Sequence, residues 1–143
     1  MKIATAVPGL LAVIGIAALA HAQSPTKAIV DTDCQIMVPG NWPETTLGGM
    51  GARSAEDRAF NAIVHGFKSD EYQAVVDSMK GPKGAVVDEN GKRILLLVPF
   101  YNGKRQYIAI TKTSPWACRT SVRFSEGQEP TARKIAETVK PLK

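Results

Sequence analysis

Apolar residues recur along this chain with two different periods, and the period separates strands from helices. Alternation by two is clearest in residues 59–67, where Phe60, Ala62 and Val64 share one face and Asn61, Ile63 and His65 the other. It returns in residues 117–124, where Cys118, Thr120, Val122 and Phe124 share a face. Residues 34–38 alternate more loosely and stop at Pro39-Gly40, which suits a strand running into a turn. Residues 85–87, 94–98 and 107–111 are further apolar runs, and Asn90-Gly91 and Asn102-Gly103 sit between them. An Asn-Gly pair between apolar runs predicts a hairpin of type I′, because both central residues of that turn need positive φ. Residues 94–98 are apolar on both sides, which predicts a central strand covered on both faces.

Helical spacing appears twice. Tyr72, Val75, Val76 and Met79 form one apolar stripe. Ser69 is a candidate N-cap, Asp70 and Glu71 place negative charge in the first turn, and Gly81 follows Lys80 as the stop. This predicts a helix over 70–80. Pro130 suits a first helical position, Ala132, Ile135, Ala136 and Val139 supply a second stripe, and Pro141 ends it. Residues 23–33 are polar and read as a loose leader. Residues 42–58 read as irregular, with Leu47-Gly48-Gly49-Met50-Gly51 as a glycine-rich loop.

The N-terminus departs from both periods. Met1-Lys2 is short and positive, residues 10–19 are an apolar stretch, and Ala20-His21-Ala22 offers small residues at a cleavage site before Gln23. That layout is an export signal over 1–22. The apolar core falls short of the roughly 20 residues of a membrane span, and no cysteine follows it for lipidation. Residues 34–143 are then one domain of periplasmic or secreted location. At 143 residues, 44% hydrophobic and +5 formal charge, the chain is too short for a multidomain enzyme and too apolar for disorder. Losing Lys2 lowers the formal charge to +4. The basic residues are scattered and do not alternate with aromatics, so nucleic acid is not an expected partner.

Export also decides the reading of the cysteines. Cys34 and Cys118 are the two thiols, and an oxidising compartment pairs an even count. A bridge would close a loop of about 85 residues, for which chain-entropy arguments give about 4–5 kcal/mol. A redox site would want a Cys-x-x-Cys spacing, which is absent. No metal site is expected, since His65 is the only histidine after the signal.

About six mostly antiparallel strands with two amphipathic helices make an α+β domain. A central strand apolar on both sides needs cover on both, and one helix is available for each, giving an α/β/α sandwich. The segment Ile36-Met37-Val38-Pro39-Gly40-Asn41-Trp42 resembles the strand, Pro, x, x, Trp entry of the PsbP/Mog-like sandwich domains. The order of strand, helix, antiparallel meander and C-terminal helix is similar too. The resemblance implies the sandwich fold and a bias toward extrinsic assembly or binding proteins, with few enzymes. It carries over no functional residue.

Chemistry is sparse. A serine triad would need His65 as base, but no Gly-x-Ser-x-Gly elbow exists. Glu56-Asp57 and Asp88-Glu89 are adjacent pairs in turns rather than carboxylates across a cleft. Asp31 and Asp33 lack the further oxygens of a calcium site. The glycine-rich loop does not lead into a helix, so it makes a poor phosphate loop, with Arg53 and Arg58 as its only cations. No catalytic residue, metal ligand or cofactor is expected.

Trp42 and Trp116 each border a proline, and a Cys34–Cys118 bridge would bring both to one edge. Either they cap the core, or with Arg119 and Arg123, which face away from Cys118 and Val122, they form a contact surface. The leading functional reading is an exported non-enzymatic binding or accessory protein, an inhibitor, immunity or assembly partner of another exported protein. A cell-wall or anionic-lipid binding module and a small envelope hydrolase are the alternatives.

Overall fold

The computed structural model describes residues 25–46, 50–53 and 61–143. The export signal and its junction at Gln23, the segment 47–49 of the glycine-rich loop, and residues 54–60 with Glu56-Asp57 and Arg58 lie outside the described residues. Ten strands occur among those described. β1 (Thr26–Asp31), β2 (Cys34–Pro39) and β10 (Lys140–Pro141) form a small sheet in the order β1-β2-β10. β3 (Glu44–Thr46), β4 (Met50–Arg53), β5 (Asn61–Lys68), β6 (Ala85–Glu89), β7 (Arg93–Pro99), β8 (Arg105–Thr111) and β9 (Trp116–Phe124) form a large one. Its order is β3-β4-β5-β9-β8-β7-β6, with every pair antiparallel.

β9 lies at the middle of the large sheet and alternates strictly. Its even-numbered residues from Cys118 to Phe124 are buried on one face, while Arg119, Ser121 and Arg123 point to the other. β7, expected to be central, is second from the edge. It is nevertheless covered on both faces, since Leu95 joins one core and Ile94 and Leu96 the other. Two-sided burial reports the layers above and below a strand, not its rank within the sheet. The edge beyond it, β6, is exposed along its length. A register shift between Val86 and Asp88, and the acids Asp88 and Glu89, disfavour further pairing there.

α1 (Tyr72–Lys80) lays Val76, flanked by Tyr72, Val75 and Met79, on Phe67, Ile94, Leu96, Ile108 and Ile110. On the opposite face, α2 (Glu129–Ala136) inserts Ala132, Ile135 and Ala136, and the small sheet inserts Ile29, Ile36 and Val38. The expected α/β/α sandwich is therefore present, with the small sheet sharing one helical layer.

The Cys34–Cys118 disulfide ties the start of β2 to β9, with Cα atoms 5.6 Å apart. Gly66 is the β5 partner of Cys118. A Cβ at Gly66 would lie 3.2 Å from Cys34 Sγ and 3.1 Å from Thr32 Cβ, so a side chain there would need these neighbours to give by a few tenths of an ångström.

Several expectations are corrected. Within the expected leader 23–33, the described residues 25–33 are not loose, because Thr26–Asp31 pairs fully with β2 and buries Ile29 to 2% exposure. One inward residue is too little to show as alternation, and only β2 supplies the partner. Ser69 does not cap α1 with its side chain. Ser69–Glu71 form a 3-10 turn, and the Ser69 amide donates instead to the Pro115 carbonyl. Asn102 and Gly103 take the positive φ values of the expected turn, 58° and 72°. Asn90 and Gly91 do not. Asn90 Oδ1 instead accepts from the Lys92 and Arg93 amides, at 2.8 and 2.9 Å, and makes the turn with its side chain.

Candidate interaction surface

The four residues singled out in sequence end up in three places. Trp42 is core, at 6% exposure, packed with the small sheet and α2. Its burial follows from the turn after β2, where the Trp42 amide donates to the Pro39 carbonyl. Trp116 begins β9 opposite Lys68 and remains half-buried, on the alternation of Cys118. It borders a cleft of about 370 Å³ with Lys68, Ser69, Asp70 and Ser114. The tryptophans do not share an edge. Trp42 lies beyond the far end of β2 from Cys34, whereas Trp116 sits beside Cys118. Arg119 and Arg123 lie together, on the face of β9 away from the disulfide.

Strand register builds the surroundings of these arginines. Arg53, Asn61, Arg123 and Gln106 form one row across β4, β5, β9 and β8. Gly51, Ile63, Ser121 and Ile108 form the next, and His65, Arg119 and Ile110 the one after. α1 covers the β8 and β7 end of these rows. Toward β5, Ile63, His65, Arg119, Ser121 and Arg123 remain half-buried rather than sealed.

Neither guanidinium meets a carboxylate among the described residues. Arg119 reaches only Met79 Sδ, at 3.4 Å under the end of α1. Arg123 stacks over the Phe100 ring at 3.6 Å, and its shielded Nε has no partner. Burial pulls the pKa of both down from the ordinary arginine value. Both remain cations, since arginine keeps its proton in proteins. Three other arginines behave differently. Arg93 meets Asp88 and Glu137, Arg105 meets Glu129, and Arg133 meets Glu137.

Sequence reasoning missed Phe100 and Tyr101. Phe100 packs edge-on against Tyr101 at 5.0 Å, and Tyr101 is 77% exposed beside the Asn102-Gly103 turn. The available signal was an aromatic pair placed directly before a tight turn, where the turn leaves little to cover it.

His65 is accounted for structurally. Its Nδ1 lies 3.0 Å from Asp31 Oδ2, and that oxygen also receives the Gly66 amide at 3.4 Å. Asp31 thus reaches β5 at both the His65 side chain and the Gly66 amide. No hydroxyl or thiol nucleophile is hydrogen-bonded to the imidazole among the described residues. No group of three His, Cys, Asp or Glu side chains there is placed to hold a metal. A second depression, of about 860 Å³, is bordered by Lys92, Arg93, Lys112 and Lys140. Its charge is partly met internally, because Arg93 pairs with Asp88 and Glu137 and Lys112 lies 3.6 Å from Glu89.

No protein-family model matches the chain, and no curated protein matches it in sequence. Among solved structures it is similar to cyanobacterial PsbP (CyanoP) from Synechocystis sp. PCC 6803. Identity is 12%, with 83% of this chain and 94% of that chain covered at a TM-score of 0.52. The likeness is one of fold: this chain folds as a PsbP-like α+β sandwich.

Proposed function

We propose that this is an exported, non-enzymatic binding protein of the bacterial envelope, acting as an assembly or inhibitory partner of another exported protein. The observation that carries the reading is the pair of half-buried arginines, Arg119 and Arg123, which meet no carboxylate among the described residues, on the part of the sheet face beyond the β8 and β7 end that α1 covers. A cation left partly desolvated costs stability, and such a cost is retained where binding repays it. The surrounding composition fits recognition, since arginine and tyrosine are enriched at binding hot spots. The PsbP-like fold supports an accessory role by analogy alone. The disulfide supports an oxidising compartment.

The basic border of the second depression favours the other reading, a module for anionic wall polymer or lipid. Capture from envelope extract with the immobilised mature domain separates the two. The expected result is one protein retained in stoichiometric amount at physiological ionic strength. Retention on wall material or anionic vesicles that fades between low and physiological salt would favour the second reading. Turnover of an envelope substrate by the purified domain would overturn both.

A further inference from the structure

Resting on the binding reading above, we propose that Arg119 and Arg123 are a two-pronged acid-recognition site, and that its occupant is an extended protein segment carrying two carboxylates. The two arginines stand four residues apart on one face of one strand, so at about 3.3 Å per residue their Cα atoms lie about 13 Å apart. A single phosphate or sulfate cannot bridge that span. An extended segment lying along β9 can, with acids at its own i and i+4 positions. Each arginine has a neighbour able to complete a carboxylate contact. His65 stands across from Arg119, and Asn61 and Gln106 flank Arg123. Ser121 separates the two prongs along β9. Both side chains are already held, Arg123 flat on Phe100 and Arg119 against Met79. Binding therefore orders little that is free, and a planar guanidinium presents two parallel N–H groups to a carboxylate. Exposed Tyr101, packed on Phe100, gives an aromatic shoulder at the Arg123 end.

The test uses the mature domain and a defined probe: an eight-residue threonine-rich peptide with glutamates at positions 2 and 6. Its glutamine counterpart and inorganic phosphate are the comparison ligands. The arginine Nε–Hε resonances report occupancy directly. The glutamate peptide is expected to shift those of Arg119 and Arg123, and to bind about tenfold or more tighter than the glutamine peptide. Arg119→Met and Arg123→Met should each weaken it by a similar factor. Each variant should also melt at a higher temperature than the parent, because a partly desolvated cation that meets no carboxylate among the described residues has been removed. No shift at millimolar glutamate peptide overturns the site. So does an equal response to phosphate at the same concentration, or a lower melting temperature in both variants. If both variants still capture the envelope partner as the parent does, the binding reading stands and this site falls. If no envelope partner is captured while the glutamate peptide binds, the acid site stands and the proposed function falls.

Discussion

Cys34 and Cys118 are 84 residues apart in sequence, and both are fully buried between the large sheet and the small one. Joining them removes conformations from the unfolded chain, which a contact confined to the folded state cannot do. Cys34→Ala is expected to lower unfolding free energy by roughly 2–5 kcal/mol, read from denaturant titration. The double variant Cys34→Ala/Cys118→Ala should match the single one, because the bridge is absent from both. Two free thiols in protein recovered from its own compartment would contradict the assignment. The pairing was readable from an even cysteine count in a chain whose N-terminus reads as an export signal. The tight packing at Gly66 was not, because nothing near Gly66 in sequence shows that Thr32 and the Cys34 sulfur will stand against it.

The start of α2 shows how an element is held. Glu129, its first residue, receives the Tyr107 hydroxyl at 2.7 Å and an Arg105 N–H at 2.8 Å. Tyr107 stacks on Phe124 at 5.4 Å, and Arg105 lies over the same ring at 5.3 Å. One carboxylate thus joins the helix start to β8 and β9. The hydrogen bond from Tyr107, then that from Arg105, hold the Glu129 carboxyl below its ordinary value. A depressed carboxyl stabilises the fold above its unfolded pKa of about 4.3, and that contribution is lost as pH falls through the lower folded value. Glu129→Gln should therefore be less stable than the parent at pH 7. The difference should shrink as pH drops below about 4, where the parent carboxyl also takes up its proton. A difference that stays constant across this range, measured by thermal melts in steps of pH, would deny Glu129 this role. The helix itself was legible from Pro130 and its apolar spacing. Its anchor was not, since Arg105 and Tyr107 are remote in sequence.

At the scale of the whole molecule, export and fold are separable. Intact-mass analysis of protein recovered from the cell envelope or medium is expected to give a chain beginning at Gln23. A mass that retains residues 1–22 would mean an uncleaved anchor. Within the domain, elements whose signal is local were readable: the alternation of β9, the stripes of both helices, the Asn102-Gly103 turn. Each depends on residues within a few positions of one another, where periodicity and turn chemistry act. Elements that carry no clear period of their own, and form because another strand receives them, were not readable. β1 forms against β2, β10 forms against the start of β2, and β3 and β4 extend the sheet from β5. The candidate surface divides along the same line. Strand alternation alone placed Arg119 and Arg123 opposite Cys118 and Val122, because side-chain direction along a strand has a fixed period of two. Burial of Trp42, the separation of the two tryptophans, and the lack of acids around the arginines among the described residues were decided by tertiary packing. Exposure and charge pairing depend on which remote side chains arrive, and local period carries no record of them.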